Sequence, residues 1–244
     1  MKLSLSLQLN SPRFGVSYNP LDIPSIGEWF DYRTLAGTSD GAPVGSWAGK
    51  KGLYTATAAG AARPTYAADA GDGRGALSFD GVDDNPSFAM TTEDLWGPDG
   101  NYEAWYVVKA PAPVGSVINS LAVTSGTPTI NMQIQPAYTR FNWYSSGNAN
   151  YGDAFDIQDD AWHVLRFTMK PSGPTTYVDG VEVGFGSDVH GFPGSWATGA
   201  GTTNIGSASY GTDVFLGYYR HFLTFKAPLS DDDAAALTSY LTTA

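Results

Sequence analysis

Cysteine is absent from this chain, so neither a disulfide nor a thiolate metal site can form. Small secreted modules of animal type lean on disulfides, whereas 244 residues can build a core without them. The absence therefore points to a microbial or viral protein. Basic residues are scarce, 13 Lys and Arg against 24 Asp and Glu, for a formal net charge of −11. That balance lacks the basic footprint of nucleic-acid binding and disfavours adhesion to anionic membranes. Long apolar runs are missing as well. No stretch nears the ~18 residues of a membrane span, which argues against membrane insertion. Met1-Lys2 and the alternating residues after them lack the continuous apolar region and cleavage site of a signal peptide. Synthesis and folding in a cytoplasm are expected.

Catalytic patterns are equally thin. The three histidines, His163, His190 and His221, are scattered and lack metal-site spacing. No Gly-x-Ser-x-Gly elbow supports a nucleophilic serine. Gly49-Lys50-Lys51-Gly52 lacks the spacing of a phosphate loop. A retaining glycosidase needs two carboxylates about 5–5.5 Å apart. Glu28-Trp29-Phe30-Asp31 and Glu93-Asp94 place their acids on opposite faces of a strand.

What is present is turn chemistry and strand pattern. Glycine is abundant at 29 residues, proline at 15, and aromatic residues make up 14% of the chain. That mix suits many short strands. Leu77-Ser78-Phe79-Asp80 alternates with the period of a half-buried strand and runs into an Asp-Gly turn, then Val82-Asp83-Asp84. Asn101 to Ala110 is apolar on both faces, the mark of a central strand. Further strands are expected over 86–90, 116–124, 129–135, 138–144 and 162–170, with a polar loop over 145–160. Val178-Asp179-Gly180-Val181 predicts a hairpin on a type I′ turn. The last strand is expected over 213–225. Ser230 then caps a helix whose first turn carries Asp231, Asp232 and Asp233, with Ala236, Leu237, Tyr240 and Leu241 as its apolar face. The helix is expected against the sandwich edge.

Residues 3–9 alternate strictly, with Leu3, Leu5, Leu7 and Leu9 on one face. They read either as a first strand within the sandwich or as an arm docking on a neighbouring subunit or particle. The predicted organisation is an N-terminal arm and aromatic lead-in over 1–43, with Trp29 and Phe30 as core or docking residues, and a sandwich over 44–244.

Phe79-Asp80-Gly81-Val82-Asp83-Asp84 resembles the first core strand of concanavalin A-like, laminin G-like jelly rolls. Thr175 to Val183, preceded by Trp162-His163, resembles that family's central hairpin. Phe215-Leu216-Gly217 through Phe225, with Pro228-Leu229-Ser230 to Leu241, resembles its last strand and closing helix. Val44-Gly45-Ser46-Trp47 and Arg63-Pro64-Thr65-Tyr66 also recur in such proteins, often those of bacteria and tailed phages. The resemblance spans roughly residues 44 to 243. It implies an all-β, two-sheet antiparallel jelly-roll sandwich with a short C-terminal helix. It also implies a non-catalytic structural or adhesive role on a phage virion surface, as a capsid decoration or tail-associated protein made in the host cytoplasm. Other virion or self subunits would be its partners, with surface glycans as ligands. A free-standing carbohydrate-binding module is the alternative, and a jelly-roll glycoside hydrolase the third reading.

Relatives of this kind hold calcium on the sandwich rim, which makes Asp83, Asp84, Asp153 and Asp156 the candidate ligands, hard oxygens in loops. For glycans the candidates are Trp143, Tyr144, Asn148, Tyr151, Trp196 and Tyr210. Flat rings stack on sugar faces while amides bond hydroxyls.

Overall fold

The computed structural model describes residues 18–91, 93–94, 97, 101–111, 122–124, 129–135, 138–145, 148–151, 156–170, 173–184, 200–207 and 214–244. The main antiparallel sheet runs β14 (Val181–Gly184), β13 (Gly173–Val178), β12 (Trp162–Lys170), β7 (Tyr102–Lys109), β16 (Leu216–Phe225), β5 (Ala76–Asp80) and β4 (Thr65–Ala67). Its eighth strand, β1 (Ile26–Asp31), shares one side of β16 with β5. Leu216 to Tyr219 pair with β5, while Leu223 lies opposite Trp29 and His221 opposite Asp31. The facing sheet is β2 (Ser46–Ala48), β3 (Thr55–Thr57), β6 (Ser87–Thr91), β15 (Ala200–Asn204) and β8 (Ala122–Thr124). A small sheet joins β9 (Thr129–Gln135), β10 (Tyr138–Ser145) and β11 (Asn148–Tyr151). Helix α1 (Asp231–Thr243) closes the chain. This is the jelly-roll sandwich that the alternation implies.

Two apolar layers explain the pattern. Between the sheets Phe30 stacks on Phe222 at 5.8 Å and meets Phe88 at 5.1 Å and Trp47 at 5.4 Å. On the other side of the main sheet Trp29, Trp105, Val107, Val164 and Leu223 pack against Ala234, Leu237 and Leu241 of α1. The main sheet is thus buried on both faces, which is why β7 is apolar on both. Trp29 and Phe30 are core residues, one in each layer. The segment expected as a lead-in supplies a strand of the main sheet.

Three local expectations need correction. Helix α1 lies on the outer face of the main sheet rather than at its edge, because that face is itself apolar. Ala234, nearly two turns before Leu241, is buried with it, while Ala236 is only partly buried. The loop expected over 145–160 contains β11, whose Asn148-Ala149-Asn150 carries little strand propensity; pairing with β10 overrides it. Other expectations stand. Ser230 accepts the Asp233 N–H at 3.1 Å as the N-cap, and the hairpin turn takes φ 51° at Asp179 and φ 81° at Gly180. Leu3, Leu5, Leu7 and Leu9 lie outside the described residues. Where the description begins, Tyr18 rests on α1, its ring 5.5 Å from Tyr240.

A buried carboxylate joins the two sheets. Glu28 of β1 is fully buried, and its oxygens accept the backbone N–H groups of Trp29 (2.9 Å), Lys51 (2.8 Å), Leu53 (2.8 Å) and Tyr54 (3.0 Å). Lys51, Leu53 and Tyr54 belong to the β2–β3 connection. A Cβ at Gly49 would collide with the same carboxyl group. A second clamp holds the hairpin turn. His163 Nδ1 lies 2.8 Å from Asp179 Oδ2 and Nε2 lies 3.1 Å from Asp159 Oδ1. The Asp179 hydrogen bond, opposed by burial and reinforced by Asp159, raises the His163 pKa.

Glu28→Ala is expected to cost roughly 3–5 kcal/mol of unfolding free energy, because several N–H groups lose their acceptor at once. Urea denaturation measures it, and a loss below about 1 kcal/mol would show that the loop finds other acceptors. The histidine clamp carries a pH signature. A group with a raised folded pKa stabilises fully below its unfolded value, near 6.5 for histidine, and that contribution is lost as pH rises through the folded value. Melting temperature should therefore fall across that window, and less so in His163→Gln. Parallel profiles for the two proteins would assign the pH dependence elsewhere.

Candidate functional site

The turn after β5 gathers three carboxylates. Asp80, Asp83 and Asp84 place one oxygen each within 4.8 Å of the others. Local chemistry folds them together. Asp80 Oδ1 accepts the Val82 N–H at 2.8 Å, and Asp84 Oδ2 reaches back to the Asp80 N–H at 2.8 Å. Gly81 takes φ 77°, and a Cβ there would press on Leu216 at 3.0 Å. Asp80 and Asp83 are exposed, whereas Asp84 is only 3% exposed. Burial, with the charges of Asp80 and Asp83 added, pushes the Asp84 carboxyl up to about 6. Two unit charges near 5 Å repel by roughly 3 kcal/mol at an effective dielectric of 20. No basic side chain pairs with any of the three among the described residues. The donor set fits a hard divalent cation, which takes six to eight oxygens and would relieve that repulsion.

Asp80 belongs to this group although the sequence marks it only as a turn former. The signal was its spacing, three and four residues before two further acids. Asp156 stands apart from the cluster and accepts the Gln158 N–H at 2.8 Å, while Asp153 lies outside the described residues. Asp159 and Asp160 pair with His163 and Lys109.

Four of the six glycan candidates lie on one antiparallel pair, two on each face. Trp143 and Tyr144 lie on β10, opposite Asn150 and Ala149 of β11. Asn148 and Tyr151 of β11 lie opposite Ser145 and Asn142. Trp196 and Tyr210 lie outside the described residues.

The buried acids of the main sheet are all engaged by neighbours. Glu28 serves the β2–β3 connection. Asp31 meets Arg33 at 2.8 Å and Lys50 at 3.0 Å; against burial, the Arg33 hydrogen bonds hold its carboxyl low. Glu103 accepts from Trp105 Nε1 (2.6 Å), Arg166 (3.0 Å), Thr168 (3.2 Å) and the Leu229 N–H (3.2 Å). Burial still raises its pKa. His221 is fully buried, pushed down to about 3 by burial, and accepts from Trp29 Nε1 at 3.3 Å. These groups tie strands together rather than lining an open cleft.

Comparison with known proteins places this geometry. No curated protein matches the chain in sequence. Solved structures share its fold. Domain 4 of AbnA, a GH43 extracellular arabinanase from Geobacillus stearothermophilus, in complex with arabinotriose, superposes with a TM-score of 0.61 at 16% identity, over 88% of this chain and 98% of that one. The botulinum neurotoxin serotype G binding domain gives 0.63 at 10% identity, over 89% of this chain and 51% of that one. Trypanosoma rangeli sialidase in complex with sialic acid gives 0.55 at 12% identity, over 90% of this chain but only 33% of the enzyme. A laminin G-type family model, described as the concanavalin A-like lectin/glucanases superfamily, matches residues 80–235. With that match across more than half its length and the sandwich to go with it, the chain belongs to the concanavalin A-like lectin/glucanase superfamily.

Proposed function

We propose that the chain is a non-catalytic adhesive module that binds surface glycans, with calcium held at the Asp80–Asp84 turn. The observation that carries this reading is the placement of Tyr144 and Tyr151 on one face of paired strands β10 and β11, with Asn142 opposite Tyr151. Aromatic rings with amides beside them are the residue set that sugars select. The structural neighbours add support, since an arabinanase domain was solved with arabinotriose and a sialidase with sialic acid. Glu28, Asp31 and Glu103 are each saturated by hydrogen-bond partners, which argues for binding without hydrolysis. Calcium, where bound, supplies a fixed positive charge; Asp80, Asp83 and Asp84 would hold it and so fix the rim turn.

The setting we infer is a phage particle, as a capsid decoration or tail-associated protein made in the host cytoplasm. Strict alternation of Leu3, Leu5, Leu7 and Leu9 suits a strand added to a neighbouring subunit.

A glycan array in calcium and again in EDTA tests the main reading. Sugar-specific binding is expected, with no reducing sugar released from the bound probes. Calcium should raise the melting temperature of the wild type but not of Asp84→Asn. Silence of the folded protein across the array, or release of sugar, would sink the reading; an unaltered calcium response in Asp84→Asn would move the cation elsewhere. Light scattering tests the arm. Deleting residues 1–10 should abolish self-assembly while the sandwich still melts cooperatively. A monomeric full-length chain, or assembly unchanged by the deletion, overturns docking between copies.

A further inference from the structure

A hollow of about 450 Å³ opens on the outer face of the main sheet, between α1 and the β13–β14 hairpin. That volume lies within the ~300–1,000 Å³ range of small-molecule sites. Strand register builds its floor. Trp105 of β7, Arg166 of β12, Tyr177 of β13 and Glu182 of β14 stand opposite one another in turn, and opposite residues share a face. Trp105 packs in the layer under α1, while Arg166 and Tyr177 line the hollow. Asp231, Ala235 and Thr238, four and three residues apart on α1, share the facing wall. The hairpin turn closes one end, where a Cβ at Gly180 would meet the Thr238 methyl group at 3.5 Å.

Arg166 has N–H groups to spare there. It is only 8% exposed. Among the described residues its guanidinium makes one hydrogen bond, from Nη2 to Glu103 at 3.0 Å, and Nε has no acceptor. Ring contacts hold the group in place, with Tyr177 at 4.6 Å and Trp105 at 5.4 Å. Buried N–H groups without acceptors cost free energy that a ligand oxygen would recover. Asp231 has the opposite need. It accepts only, is exposed, and pairs with no base among the described residues. Thr238 donates its hydroxyl proton to the Ala234 carbonyl at 2.9 Å, so its oxygen can still accept.

Charge selects the ligand class. Glu103 already neutralises Arg166. Burial raises the Tyr177 phenol; Arg166 opposes the rise, while Glu182, Asp231 and Glu103 add to it. A carboxylate or phosphate would enter against that negative field. The hollow suits an uncharged ligand that offers an acceptor to Arg166 and a donor to Asp231. Hydroxyl groups do both, and the C–H faces of a sugar ring match the small apolar surfaces of Ala234, Ala235 and Gly180.

We propose that this hollow is a second ligand site, for a neutral sugar, with Arg166 donating to one of its oxygens and Asp231 accepting from a neighbouring hydroxyl. The site is separate from the β10–β11 face and does not depend on the reading given to that face.

The test is titration of the full chain, by calorimetry and ligand-observed NMR, with neutral pentoses and hexoses, uronic acids and free amino acids. A neutral sugar should bind with a Kd on the order of 1 mM. Asp231→Asn should weaken it about tenfold, the range of one charge-assisted contact. Ala235→Trp, at an exposed helix position, should fill the hollow and abolish binding. Asp232→Asn, which does not line the hollow, and Tyr144→Ala on β10 should leave it unchanged. Thermal melting of each variant establishes that it is folded. Tighter binding of a uronic acid or an amino acid than of any neutral sugar would overturn the ligand class. Binding that survives Ala235→Trp, or that falls with Tyr144→Ala instead, would overturn the site, and so would indifference of the folded wild type to every sugar. Silence on a glycan array beside neutral-sugar binding that Ala235→Trp abolishes would sink the β10–β11 reading and leave this one standing.

Discussion

The Glu28 carboxylate, closed in by four backbone N–H groups, governs how the two sheets meet. A main sheet buried on both faces leaves no water to solvate a charge, so an acid there must be bonded completely or removed. Glu28 meets that condition by drawing the β2–β3 connection over itself. The connection then sets where β2 and β3 of the facing sheet run. Gly49 is part of the same constraint, since any side chain there would occupy the carboxylate's place. Glu103 repeats the device on the helix side. It accepts from Trp105 on its own strand, from Arg166 on neighbouring β12 and from the Leu229 N–H that leads into α1. Asp31, with Arg33 and Lys50, does so where β1 turns away.

This arrangement has a consequence for chemistry. Acids that fix strands cannot also shuttle protons, because moving Glu28 or Glu103 would strand several buried donors at once. Glu28, Asp31 and Glu103 are thereby committed to architecture. Among the described residues, Asp80, Asp83 and Asp84 converge on the rim, away from these acids. Function in this fold sits on parts that the core does not need.

Much of the fold was legible because local signals agreed with it. Asp179-Gly180 needs two positive φ values and has them. Ser230 announces its helix and caps it. The double-faced apolarity of β7 marks a central strand, and β7 sits between β12 and β16. What escaped depended on distant partners. Glu28-Trp29-Phe30 looks like a lead-in until Lys51, Leu53 and Tyr54 supply the donors that let a glutamate be buried. Asn148-Ala149-Asn150 has no strand signal of its own and becomes β11 through β10. The helix position depended on an outer face whose apolarity appears only after strands are paired. In the acidic cluster, residue chemistry singled out Asp83 and Asp84 but passed over Asp80. It selected Trp143 and Tyr144 together, although adjacent strand residues belong to opposite faces.

The glycan binding and the assembling arm proposed above would make sense together. A sheet face without deep walls removes less of a sugar from water than a pocket does, so each site alone binds weakly. Weak sites become strong adhesion when a rigid array presents many of them, a gain of roughly 10²–10⁴ without any new contact. An N-terminal strand that docks on a neighbour would supply that array.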